Sequence, residues 1–387
     1  MKSIKHFEKI EGMFMKKISR LGELKFEILS SGIQLQNRIK NTLSKISKEP
    51  QSMRSGISSG IELILPEDIW VNAPVKEHFT RKSPLLLDME NESIVLKKRK
   101  NIITHVTTLP RPAFYDKHTS DGIPMKKIGS IRADRLSIGI NDSCIFWADK
   151  NLRCKFCAIG HNPESRIAMR TLSQVMETIG AALNDPIRPC KHLYLSGGAL
   201  PGEDRGISLY STYIKEIKEN FDLHIHLNPM PPKDVTAIDS LFKAGLDEIS
   251  FNIEVFDELI ALEMIPGKYR AVPRSQYTRS LDYAVDLFGE KKVSSCLVIG
   301  LEDVHSAVDG VEFLVSRGVI PKLSIFRPII GSLLQGCNPP DLHFLLEVYH
   351  ESEEIAKEYG LPLGPLCIPC QMHSLVIPKS HEDYFHF

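Results

Sequence analysis

Three cysteines crowd into one short stretch, Cys144-Ile-Phe-Trp-Ala-Asp-Lys-Asn-Leu-Arg-Cys154-Lys-Phe-Cys157. Thiolates are preferred ligands of zinc and of iron–sulfur clusters. Three thiols from one loop can hold three irons of a four-iron cluster, leaving the fourth open to a substrate or cofactor. A structural zinc site usually shows two pairs of ligands, and no second pair lies close by in the chain. On the cysteines alone a cluster, a zinc ion and unrelated core thiols all stand. A second group lies far downstream, Cys367-Ile-Pro-Cys370-Gln-Met-His373, with Cys337 available upstream as a fourth ligand. Two Cys and a His suit zinc at least as well as a cluster, and a free pair in a tail is the third reading.

The elements that must position these groups are regular from about residue 132 onward. Short β-rich runs at Leu136–Ile140, His192–Ser196, Leu223–Leu227, Ile249–Ile253, Val293–Ile299 and Leu323–Phe326 alternate with helical stretches near Leu172–Leu183, Leu209–Glu219, Val235–Lys243, Ser280–Phe288 and Ala307–Ser316. Strands alternating with helices imply a parallel sheet with right-handed crossovers. Six such strands predict an α/β fold of partial (β/α)6 barrel type, with an open doubly wound sheet as the alternative. The first cysteine loop follows the first of these strands, and loops after strand C-termini carry the active sites of α/β barrels. Four regions follow: an N-terminal helical and irregular extension over 1–95, a connecting segment over 96–131, the barrel over 132–335, and a Cys-bearing C-terminal extension over 336–387.

Lys+Arg and Asp+Glu are both 48, so nothing here carries the basic excess of a nucleic-acid binder. Apolar residues Ile4, Phe7, Ile10, Phe14, Ile18, Leu21, Leu24 and Ile28 recur at helical spacing in a basic segment. That helix either docks a membrane or partner or packs on its own domain. No apolar run reaches the ~20 residues of a transmembrane helix, and eight sparse cysteines suit a reducing, cytoplasmic location.

With Cys…Cys-x-aromatic-Cys placed after the first strand, the chain resembles the radical S-adenosylmethionine (radical-SAM) superfamily. The usual spacing there is three residues and then two; here it is nine and then two, so the loop must bulge, and Trp147 is expected over the cluster. The later strand ends resemble the same family in order. Ser196-Gly197-Gly198 is similar to the turn that meets the methionine amino group, and glycine allows such close backbone approach. Asn252 and Glu254, two apart, leave one face of their strand and stand where ribose contacts lie in biotin-synthase-like members. Ile299 falls in a segment similar to the adenine-contacting one, and Phe156 would lie against the adenine. Arg327, opening Arg327-Pro-Ile-Ile-Gly-Ser332, ends an apolar strand, where a guanidinium could hold a carboxylate. His226 and Asn228 are weaker candidates for the same cavity.

More closely, the chain resembles an uncharacterised branch of the superfamily encoded beside nitrilases, through Arg111-Pro-Ala-Phe-Tyr-Asp116, Thr119-Ser-Asp-Gly-Ile-Pro124, the cysteine loop and the C-terminal pair. The resemblance implies a [4Fe-4S] cluster on Cys144, Cys154 and Cys157, bound S-adenosylmethionine, an electron donor such as flavodoxin or ferredoxin, and hydrogen abstraction from a small or carrier-bound substrate. An auxiliary cluster at Cys337, Cys367, Cys370 and His373 would fit sulfur insertion or a two-electron oxidation, so a sulfurtransferase or an oxidoreductase. Zinc there, or nothing, would fit rearrangement, cleavage or reversible abstraction. The competing functions are a zinc-binding barrel scaffold and a non-catalytic partner subunit of a radical system.

Overall fold

A computed structural model describes residues 18–40, 60–161, 167–378 and 381–387. Its centre is a seven-stranded sheet whose strands we label β1 (Gly129–Arg132), β2 (Arg135–Gly139), β3 (His192–Ser196), β4 (His224–Leu227), β5 (Glu248–Ser250), β6 (Val293–Ile299) and β7 (Ile320–Ile325). They lie side by side in chain order. A doubly wound sheet would reverse direction at a switch point. This one never reverses, and the strands curl into a partial barrel. The strands from β2 to β7 are parallel, as the strand–helix alternation implied, while β1 pairs antiparallel to β2 through a turn at Ala133 and Asp134.

Helices α1 (Leu172–Leu183), α2 (Ile207–Asn220), α3 (Asp239–Lys243), α4 (Arg274–Phe288), α5 (Val304–Val315) and α6 (Leu342–Glu358) form the outer layer with shorter turns between. Local chemistry sets their starts. Thr171 and Gln174 form a reciprocal capping box on α1, and Asp303 and Asp341 cap α5 and α6. Side-chain alternation then divides each strand. Leu193 and Leu195 of β3 are fully buried, whereas His192, Tyr194 and Ser196 share the opposite face. Leu297 of β6 meets α5, where a Cβ on Gly310 would lie 3.0 Å from its Cδ1. The aliphatic face therefore packs on helices and the polar face lines the lumen.

Beyond Gly60 the N-terminal extension is richer in strand than the sequence reading had it. Ile61–Leu65, Ile69–Ala73 and Thr107–Thr108 form one small sheet; Gln34–Leu35, Leu85–Glu90, Ser93–Lys98 and Asn101–His105 form another. Pro66, Pro74 and Pro84 sit between these strands, where a missing N–H costs no ladder bond, so the prolines punctuate strands rather than abolish them. Of the basic amphipathic segment, Ile4 to Phe14 lies outside the described residues. Its continuation, the helix Arg20–Ser31, packs on the chain itself: Phe26 meets Tyr349 at 5.3 Å, and the fully buried Lys25 donates to the Val376 carbonyl at 2.7 Å. The C-terminal segment covers the free edge of β7 through bridges Lys322–Gly364 and Ser324–Ser374. Among the described residues no helix is long and apolar enough to cross a membrane.

Candidate active site and the second cysteine group

The C-terminal ends of the parallel strands define the upper mouth. There the chain leaves β2, and the Ile140 N–H still donates to Ser196 O at 2.7 Å. Asn141 follows, and its Nδ2 donates to Ser143 O at 2.5 Å and Gly198 O at 3.3 Å. This pins the cysteine loop to the Gly197-Gly198 turn. A Cβ on Gly198 would stand 1.9 Å from Ser143 O and 2.8 Å from the Cys144 Cβ; one on Gly197 would stand 2.1 Å from Asn141 Oδ1. Both glycines are thus required for the loop to lie against the strand end, apart from any ligand.

The nine-residue gap folds through successive turns: Trp147 N–H to Cys144 O at 2.9 Å, Leu152 N–H to Asp149 O at 3.0 Å, and Cys157 N–H to Cys154 O at 3.0 Å. Trp147 is clamped inside the loop, with the Arg153 guanidinium 4.2 Å over its ring and Gly160 beneath it, where a Cβ would meet Nε1 at 1.9 Å. It acts as the loop's own packing core. Cys154 and Phe156 pack on a small apolar cluster of Val255, Ala261 and Ile265, joined by Leu301. Burial pushes the Cys154 thiol well up, helped by the Glu254 charge and opposed by Lys268, and it pushes Cys157 up to about 11. Electrostatic coupling joins all three thiols.

This donor set fits a cluster held by three cysteines. The thiols are soft and half-buried, and the raised pKa values of Cys154 and Cys157 mean that a polycation of iron would be what makes those two thiolates. The Asn141 Oδ1 is buried without a hydrogen-bond partner beside them. Glu254 sits at φ 71° and pairs with the buried Lys268 at 2.8 Å. Burial lowers the Lys268 pKa, but Glu254 and Tyr277 outweigh it and hold the lysine charged.

The structure redistributes several residues singled out from the sequence. Asn252 and Glu254 do lie together at the upper mouth, but Asn252 Oδ1 accepts the Cys296 N–H at 3.1 Å, so it patches the β5–β6 ladder where β5 breaks off. Ile299 is fully buried and shares the helix-facing side of β6 with Leu297, leaving Val298 toward the lumen. The Ile299 side chain is therefore turned away from the lumen, and a contact of this segment with a lumen ligand would run through its backbone or Val298. Arg327 does hold a carboxylate, but it is the chain's own: its guanidinium pairs with buried Glu77 and donates to Asn72 Oδ1 at 3.1 Å. That pair ties the barrel to the N-terminal sheet and leaves no free cation for substrate. Ser196 faces the lumen edge beside Gly197.

Below the mouth lies a polar layer that sequence reading touched only at His226 and Asn228. Arg135 stacks on Tyr194 at 4.5 Å, and Asn228 hydrogen-bonds the same tyrosine. Lys322 Nζ donates to Ser250 Oγ at 2.9 Å and lies 3.5 Å from His226 Nε2, which also bonds Ser250. Burial lowers Lys322 to about 8 and raises the neighbouring Cys296 to about 11. The signal for this layer was the strand parity itself, since Arg135, Tyr194, His226, Ser250, Cys296 and Lys322 all share the lumen register.

Cys367 and Cys370 lie at the opposite, lower mouth. They meet Asp134 of the β1–β2 turn and His192 at the start of β3, and one ligand atom from each of the four falls within 4.8 Å of the others. The expected companions are not in that group. Cys337 is exposed and sits one turn after Leu334, whose N–H bonds Lys155 O in the upper loop at 3.2 Å, so it belongs to the other end of the barrel. His373 lies in the turn leading to the Ser374–Ser324 bridge.

A seven-stranded partial barrel with a three-thiol loop at its upper mouth defines an α/β barrel of the kind that houses metal chemistry at strand ends. Residues 151–314 match the radical SAM superfamily model. Over 139 residues it is 29% identical to bacteriochlorophyllide c C-7(1)-hydroxylase of Chlorobaculum limnaeum, a match spanning 36% of this chain and 34% of that enzyme. Solved structures it resembles include the FeFe-hydrogenase maturase HydG of Carboxydothermus hydrogenoformans (17% identity, TM-score 0.44, 59% of this chain and 54% of that one). Methylornithine synthase PylB is another (15% identity, TM-score 0.44, 60% and 71%). The chain thus spans about a third of the hydroxylase and about half of the maturase it matches.

Proposed function

We propose that this chain is a radical-SAM enzyme that oxidises an organic substrate held in the polar lumen, using a [4Fe-4S] cluster on Cys144, Cys154 and Cys157. The observation carrying this reading is three half-buried, electrostatically coupled thiols on a loop pinned to the Gly197-Gly198 turn, in a chain whose residues 151–314 match the radical SAM model. When bound, a reduced cluster would supply the electron for splitting S-adenosylmethionine to methionine and, with a substrate hydrogen atom, 5′-deoxyadenosine; return of the substrate radical's electron to the cluster would complete the two-electron oxidation. The protein's part is to bind, orient and exclude water.

In this reading Phe156 and the apolar cluster around Val255 form one wall of the cofactor site, and Ser196, Gly197 and Gly198 form another. Asn141 offers its unpaired Oδ1 from beside Cys144 to the cofactor's ammonium. Glu254, neutralised by Lys268, is placed for hydroxyl groups, and Arg327 supports the mouth through Glu77. Lys322 and His226 orient the substrate from below. Residues 132–335 form the catalytic unit, and the cluster's sensitivity to oxygen calls for a reducing cellular setting and a flavodoxin- or ferredoxin-like donor. Net oxidation is favoured over sulfur insertion because the relative with a named activity is a hydroxylase. The test is anaerobic incubation with S-adenosylmethionine and dithionite. 5′-Deoxyadenosine is expected from the native chain and not from Cys144→Ala; equal yields from both would overturn the reading.

A further inference from the structure

We infer that Asp134, His192, Cys367 and Cys370 bind a single divalent transition-metal ion of the zinc class, which seals the lower mouth of the barrel. The geometry is that of one tetrahedral hole. His192 Nε2 lies 3.2 Å from Asp134 Oδ1, 3.4 Å from Cys370 Sγ and 3.6 Å from Cys367 Sγ, and Cys367 Sγ lies 3.9 Å from Asp134 Oδ1. With metal–sulfur bonds of about 2.3 Å and metal–nitrogen or metal–oxygen bonds of about 2.0–2.1 Å, tetrahedral ligand atoms stand about 3.3–3.8 Å apart. The four contacts scatter around that range.

Hydrogen bonding alone does not account for the arrangement. A carboxylate oxygen and two thiol sulfurs converge on the single Nε2, more contacts than one ring nitrogen can serve with well-directed hydrogen bonds. An ion at the centre satisfies all of them together. A multi-iron cluster fits less well, because ligands on different irons are spread by the metal–metal distance, whereas here every ligand atom falls within 4.8 Å of the others. Both sulfurs come from one tight turn, with Cys370 N–H donating to Cys367 O at 3.1 Å, the Cys-x2-Cys arrangement that chelates one ion.

Charge closes around the same centre. Two thiolates and a carboxylate offset a dication and leave one negative charge, and the Arg135 guanidinium faces Cys370, Cys367 and Asp134. Phe387 stacks on the His192 ring at 4.1 Å and fixes its orientation. Four protein ligands leave no open position, so the ion is structural. It staples the turn before β2 and the start of β3 to the tail, where Ile368 N–H donates to Phe385 O at 2.8 Å. A small cavity of about 50 Å³ remains between this staple and the lumen residues His226 and Lys322.

The staple is independent of the chemistry proposed for the upper mouth, and the experiment separates the two. The full chain is loaded anaerobically with Zn²⁺ or Co²⁺ after chelator treatment under reducing conditions, and metal is counted per chain. One equivalent is expected, with the d–d absorption of tetrahedral cobalt–thiolate, in the native chain and equally in Cys144→Ala. Cys367→Ser with Cys370→Ser should lose it, and His192→Ala and Asp134→Asn should each weaken Co²⁺ binding at least tenfold. The inference falls if the native chain takes up no stoichiometric Co²⁺ or Zn²⁺. It also falls if the double variant loses iron and sulfide instead, if His192→Ala and Asp134→Asn bind as the native chain does, or if mass analysis finds a Cys367–Cys370 disulfide in the anaerobically purified protein.

Discussion

The two mouths of this barrel carry cysteines in opposite settings. At the upper mouth three thiols come from one loop within fourteen residues of chain, and the loop is shaped by its own turns, by Trp147 and by two glycines. At the lower mouth two thiols from the tail complete a set whose other members, His192 and Asp134, lie 175 and 233 residues away from Cys367. The upper set offers three side-chain ligands; the lower one offers four within 4.8 Å of one another. An open set suits a group that reacts, and a closed set suits an ion that holds chain segments together. On these proposals, the cysteines nearest in sequence serve the chemistry and those gathered from afar serve the architecture.

The largest expected effect is at the upper mouth. Cys154→Ala or Cys157→Ala should abolish 5′-deoxyadenosine formation and lower iron and sulfide, while the Co²⁺ count at the lower mouth stays the same. Loss of both metals in either variant would merge the two sites and break the comparison. Next comes Gly198→Ala. Its Cβ would meet Ser143 O and the Cys144 Cβ, so iron binding after anaerobic reconstitution should fall sharply in a chain that still folds by circular dichroism.

Arg327→Met tests a part of the upper rim that serves structure. It removes the guanidinium that pairs with Glu77, a carboxylate at 2% exposure, a change that costs about 3–5 kcal/mol in denaturant unfolding. Adding Glu77→Met should recover much of the loss; no recovery would show that the pair is not the source.

A smaller effect is a pH dependence from Lys25. Burial lowers its pKa from 10.5 to about 7, so between those values the unfolded chain binds the proton that the folded chain rejects. Stability should then rise with pH across that window, by about 1.4 kcal/mol per pH unit at most, and Lys25→Met should flatten the rise. The smallest effect is Asp341→Ala. Its side chain accepts the Phe344 N–H at 2.9 Å at the start of α6, and its loss should cost about 1 kcal/mol.

The barrel was legible in the sequence because each of its parallel strands is a local apolar run followed by a helix. The three-thiol loop was legible because its ligands are neighbours in the chain. Asn252 and Glu254 were read as two residues on one face of a strand, but the strand ends at Ser250, Glu254 sits at φ 71°, and Asn252 accepts the Cys296 N–H. Arg327 read as a free cation because Glu77 lies 250 residues upstream. The side of β6 that Ile299 faces was not legible for a different reason: a one-residue change in register decides which side of a strand faces the lumen, and an all-apolar strand end conceals it. Small sheets in the N-terminal extension were hidden by prolines that sit between strands.

The central claim is that the upper loop holds an iron–sulfur cluster, and the most direct measurement is iron and acid-labile sulfide per chain after anaerobic reconstitution. The account predicts about four of each in the native chain, with a brown colour lost in Cys157→Ala. A colourless native protein carrying zinc at Cys144, Cys154 and Cys157, with no labile sulfide, would contradict it.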